Sequence, residues 1–171
     1  MYADYKDQTS QTVVHILGSF LRQLLTTVPA SIPEEVIQKL NDIRHGGRKV
    51  ETTDSLAMLK IRLHQLKRAF ICIDALDELE PKVRQQLLNI LKELVIKNNV
   101  RLFLTGRGHI EGEVQNCFKV EQGYTVNITA SQEDIRQFVR QQIKEDLNPE
   151  AMDTRLAKGI EDTIIEKSKG M

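Results

Sequence analysis

One short run constrains the fold more than any other stretch: Ala69-Phe70-Ile71-Cys72-Ile73, followed at once by Asp74. A run apolar at both parities reads as a strand covered on both faces, because a half-solvated strand alternates. Residues 100–105, Val-Arg-Leu-Phe-Leu-Thr, make a second strand closed by Gly106-Arg107-Gly108. Residues 124–128, Tyr-Thr-Val-Asn-Ile, make a third, and residues 2–5 are a short β-prone start.

Helical patterns fill the rest. Val13, Ile16, Leu17, Phe20, Leu21, Leu24 and Leu25 form one stripe, with Thr9 or Ser10 as cap and Pro29 as stop. Ser31-Ile32-Pro33-Glu34 reads as a capping box opening a helix that buries Val36, Ile37, Leu40 and Ile43. The spacing predicts a third helix over 54–67, with Leu56, Leu59, Leu63 and Leu66 inward. Pro81 opens a fourth carrying Val83, Leu87, Leu88, Leu91, Leu94 and Val95. Gly106, Gly108 and Gly112 mark a loop. Ser131 caps a helix with Ile135, Phe138, Val139 and Ile143 on one face, and Asn148-Pro149-Glu150 opens a last one with Leu156, Ile160 and Ile164 inward.

Strands alternating with helices predict an α/β fold: a three-layer parallel sheet with flanking helices and a helical C-terminal extension. The expected division is a core over 1–129 and a helical segment over 130–171. Ligands of such sheets collect at the carboxyl ends of the strands. Asp74, Asp77, Glu78, Thr105 and Arg107 fall there. A carboxylate at a strand tip suits Mg²⁺, which takes one or two carboxylates plus phosphate oxygens. That gives Asp74 the metal role, and Asp77 with Glu78 the placing or deprotonation of a water. Arg107 offers a planar fork suited to phosphate, with Thr105 beside it. The plainer alternative is that the acids cap the next helix and the arginine sits on a surface loop.

The stretch Phe70-Ile71-Cys72-Ile73-Asp74-Ala75-Leu76-Asp77-Glu78, followed by Leu104-Thr105-Gly106-Arg107, resembles the Walker B and sensor 1 motifs of NACHT domains. These are NTPase modules of NLR-like signalling proteins, and the flavour here is that of fungal members carrying ankyrin or WD repeats. The resemblance extends to residues 2–7 and 164–171. It implies a P-loop NTPase-like sheet, Mg²⁺ and ATP or GTP as cofactors of the complete domain, and a nucleotide-controlled signalling or oligomerisation switch.

The phosphate cradle of such domains, G-x-x-x-x-G-K-[ST], has no counterpart: none of the nine glycines precedes a lysine. The chain therefore reads as an internal fragment with the first strand missing. It is not expected to bind nucleotide tightly, and its open sheet edges favour self-association. The alternative is a non-enzymatic protein-interaction or structural α/β module. A metal-dependent phosphotransfer or nuclease fold without a P-loop is a third reading.

Composition excludes little and agrees with this. Apolar residues make up 40% and charged residues 28%, as in a folded domain. Twenty-four Lys and Arg balance 24 Asp and Glu, so neither nucleic acid nor an anionic membrane is an expected partner. No run is long enough to span a bilayer, and the first residues lack the apolar stretch of a secretory signal, so a cytoplasmic location is expected. The histidines at 15, 45, 64 and 109 and the two cysteines share no zinc-ligand spacing. Cys72, inside the apolar run, reads as inert packing.

Overall fold

The computed structural model describes residues 1–4, 11–27, 32–97, 99–118, 123–145 and 153–168. The chain divides into two units, Met1–Gly123 and Tyr124–Met171.

In the first unit, α1 (Val13–Thr27), α2 (Glu34–His45) and α3 (Thr52–His64) precede β1 (Ala69–Ile73). Then come α4 (Pro81–Lys97), β2 (Val100–Leu104) and α5 (Glu111–Phe118), with single 3₁₀ turns at Leu76–Glu78 and Gly108–Ile110. β1 and β2 pair in parallel, Ala69 opposite Val100 through Ile73 opposite Leu104. The amino terminus adds one parallel bridge, Tyr2 opposite Asp74. It is anchored by Asp74 N–H to Met1 C=O at 2.9 Å and Ala3 N–H to Asp74 C=O at 3.0 Å.

The structure corrects the expected three-layer parallel sheet. Among the described residues it is mostly helical, with a sheet of two strands. Residues 124–128 form no strand, and Tyr124, Val126 and Ile128 stand exposed. Among the described residues one sheet face is covered: Ala69, Ile71, Ile73 and Val100 are buried, while Phe70, Cys72, Arg101 and Phe103 are exposed. The run 69–73 thus behaves as an alternating strand whose outward positions happen to be apolar. Periodicity reports burial only when outward residues are polar, and here they are not.

The covered face joins one core with α1, α3 and α4, built on Leu17, Met58, Leu59, Leu63, Leu87, Leu88 and Leu91. α1 packs on α3, α2 on α3, and α4 on β2 and α5. α3 starts two residues before its predicted position. Glu51 caps it, and the Asp54 carboxylate accepts the Glu51 N–H at 3.0 Å. At α2, Pro33 is the cap and makes no side-chain hydrogen bond. Val36 and Ile43 are buried there, but Leu40 is exposed. The expected caps at Thr9, Ser10 and Ser31, the stop at Pro29 and the helix start at 148–150 lie outside the described residues. The loop expected after Gly108 is largely α5, a helix whose eight residues carry too few apolar positions to announce it.

In the second unit, α6 (Gln132–Lys144) begins at a capping box, as the sequence predicts: Ser131 Oγ accepts the Asp134 N–H at 3.1 Å, and Asp134 accepts the Ser131 N–H at 2.9 Å. α7 (Thr154–Ser168) pairs with it. Arg140 grips Glu161 through two bonds of 2.9 Å. Of the expected inward residues only Val139 is buried; Phe138, Leu156 and Ile164 are exposed, and Ile165 is buried instead. No described helix is long and apolar enough to cross a membrane.

Candidate functional site

β1 and β2 run in the same direction, so the residues following each strand meet at one end of the sheet. Asp74, Asp77, Thr105 and Arg107 are brought together there. Thr105 continues the ladder, donating its N–H to the Ile73 C=O at 3.0 Å and accepting the Leu76 N–H on its own C=O at 2.8 Å. Its hydroxyl donates to Asp74 Oδ1 and accepts the Ala75 N–H at 3.0 Å.

Ala75 sits in the left-handed region, φ 56° and ψ 44°, which costs a residue with a Cβ on the order of 1 kcal/mol. The turn holds because its N–H is shared by Thr105 Oγ1 and Asp74 Oδ1. This sharp turn carries Asp77 inward. The Asp77 side chain is 5% exposed, although that of its ion-pair partner Arg107 is 77% exposed. Asp77 Oδ1 accepts the Arg107 backbone N–H at 3.2 Å, and Oδ2 lies 3.6 Å from Arg107 Nε. Glu78 stands in the 3₁₀ turn, half-buried and engaged with neighbouring groups.

Two residues that the sequence did not single out hold the site from behind. Arg84, nearly buried on α4, donates to the Leu79 C=O at 2.9 Å and the Asp77 C=O at 3.4 Å. Its Nε donates to Glu113 of α5 at 2.8 Å. Glu113 lies in the segment read as a glycine loop, so no helical spacing paired it with Arg84.

The chemistry open to this cluster is narrow. Asp74 Oδ1 is engaged by two protein donors, and both Asp77 oxygens face Arg107. Among the described residues, no group of three or more His, Cys, Asp or Glu side chains is placed to hold a metal ion. Asp77 is thus occupied, Asp74 is engaged through Oδ1, and no glycine of the chain precedes a lysine. In the second unit an open cleft of ≈ 610 Å³ between α6 and α7 is lined by charged residues, among them Arg136, Arg140, Lys158 and Glu161. The arginines there are paired to Glu161.

Fold and cluster define a helical module built on a small parallel sheet, with an aspartate–arginine clasp at its carboxyl end. The chain belongs to the family described as nephrocystin 3, N-terminal, whose model matches residues 1–107, from the amino terminus to Arg107. No curated protein and no solved structure matches it.

Proposed function

We propose that this chain is a non-enzymatic protein-interaction or structural module, and that the strand-end cluster shapes the sheet rather than reacting. The observation that carries this reading is the engagement of Asp77: its nearly buried carboxylate is held by the Arg107 main chain and guanidinium. A carboxylate spent on internal donors is a poor base and a poor metal ligand. Titration calorimetry with Mg-ATP and with Mg-GTP tests it. The expected result is no saturable heat up to millimolar nucleotide. Micromolar binding that Asp74→Asn removes would overturn it.

A second reading is a nucleotide-controlled switch of the NACHT kind. It is favoured by one observation, the convergence of Asp74, Asp77, Thr105 and Arg107 at one sheet end. Under it Asp74 is the residue toward Mg²⁺, Asp77 or Glu78 positions water, and Arg107 with Thr105 meets the phosphates of ATP or GTP. The same titration separates the two readings.

A further inference from the structure

We propose that the uncovered face of the β1–β2 sheet seats a second copy of this chain, face on face; this rests on reading the chain as an interaction module. In-register parallel partners point to the same side of a sheet. The pairs Tyr2–Asp74, Phe70–Arg101 and Cys72–Phe103 therefore share one face. Tyr2, Phe70 and Phe103 are 65%, 71% and 64% exposed there. The chain has three tyrosines, five phenylalanines and no tryptophan, so this one surface holds three of its eight aromatic rings. Contiguous exposed apolar surface of that kind marks an interaction site.

The distribution of charge along the face selects the occupant. Arg101 stands level with Phe70 at the amino end of the strands and Asp74 level with Tyr2 at the carboxyl end, with Cys72 and Phe103 between them. Arg101 makes no ion pair among the described residues, and Asp74 makes none either. Its Oδ1 alone is engaged, by Thr105 and Ala75. Arg107, near the same end, is taken up by Asp77. A two-fold axis lying between the two faces and running across the strands turns the strands of the second copy the opposite way. It sets each Arg101 toward the partner's Asp74, each Phe70 toward the partner's Tyr2, and Phe103 against Phe103 in the centre. Such a contact is self-complementary and closes at two copies.

Area sets the strength. A ring that buries roughly 150–250 Å² in full has about two-thirds of that left to bury here. Three rings on each of two copies then bury roughly 600–1,000 Å², at or below the ~1,000 Å² expected of a specific interface. The pair is accordingly a weak one, formed in the micromolar range.

Sedimentation of the full chain from about 1 to 200 µM reads the proposal. The expected mass rises from 19.6 kDa toward 39.2 kDa, twice 19.6, while Phe103→Glu and Phe70→Ser stay at 19.6 kDa throughout. Both side chains are exposed, so circular dichroism and melting should match the parent chain.

A monomer at 200 µM overturns the proposal, as does a dimer that both substitutions leave intact. Binding of a single-stranded oligonucleotide by a monomer, lost in Phe103→Glu, overturns it in favour of a base-stacking platform. Nucleotide binding with the dimer retained would instead remove the module reading and leave the interface standing. A monomer without nucleotide binding would remove only the interface.

Discussion

The carboxylate of Asp77 accepts the backbone N–H of Arg107, 30 positions further along the chain, at 3.2 Å. The bond joins the turn after β1 to the turn after β2. The guanidinium of the same arginine adds a longer, solvent-facing contact at 3.6 Å. A hydrogen bond to a charged group contributes about 1.5–3 kcal/mol, whereas an exposed ion pair contributes about 0–1 kcal/mol. Asp77→Ala should therefore cost about 2–3 kcal/mol in urea unfolding and Arg107→Ala less than about 1 kcal/mol. Equal losses would show that the guanidinium, and not the main chain, is the partner that matters.

Gly106 lies under Ile110. A Cβ at Gly106 falls 2.6 Å from Ile110 Cδ1 and 3.3 Å from Asp77 Oδ1. Ile110 is buried, so its terminal methyl has little room to retreat. Gly106→Ala should cost about 1–2 kcal/mol. Ile110→Val removes the clashing methyl, and the double variant should show a coupling of at least about 0.5 kcal/mol. Strict additivity would place the cost in the Asp77 contact instead.

Arg62 is 2% exposed on α3, with one bond from Nη1 to Gln65 Oε1 at 2.9 Å and, among the described residues, no partner for Nε or Nη2. A buried guanidinium with unmatched donors is a stability cost, so an apolar side chain of similar length should be better tolerated. Arg62→Met is expected to raise the melting temperature. A fall would mean that the cation is stabilised by solvent or by a partner.

Acid should weaken the fold through its exposed clasps. The Arg48 guanidinium holds the Asp54 carboxyl well below the usual carboxylate range, helped by the Glu51 N–H. The Ser131 side chain lowers Asp134, Arg140 lowers Glu161, and Lys60 with Lys97 lowers Glu93. A carboxylate depressed in the folded state contributes stability that is full above its unfolded value, roughly 4, and is lost as pH falls through the folded value. Urea midpoints should be flat above about pH 5 and decline below about pH 4. Asp54→Asn should lower the neutral plateau and shallow the acid limb, and 1 M salt should blunt the difference. An unchanged acid limb would count against the Asp54 clasp.

The two thiols should separate in reactivity. Cys72 is exposed on β1, against the expectation of inert packing, while Cys117 is buried and burial pushes its thiol up. In dilute protein one thiol should react fast with Ellman's reagent and vanish in Cys72→Ser. Cys117 should react only on unfolding. Two fast thiols would place Cys117 at the surface.

Much of the secondary structure was legible in the residues. The stripes of α1 and α4, the proline opening α4 and the Ser131–Asp134 box each depend on groups within a few positions of one another. The convergence of Asp74, Asp77, Thr105 and Arg107 was legible for the same reason: two parallel strands joined by one helix must end side by side. Arg84 with Glu113 was not, since the two are 29 positions apart and Glu113 lay in a segment with no helical signal.

By itself, then, the amino-acid order determined the stripes of α1, α4 and α6, the two strands that form and which polar residues sit at their tips, because capping, periodicity and turn chemistry act over short range. Only the tertiary structure decided how many strands pair, which sheet face is covered, and that residues 124–128 stay unpaired. A strand-forming pattern shows that a segment can pair; whether it does depends on a neighbour's free edge, and an apolar side chain is buried only when another element reaches it.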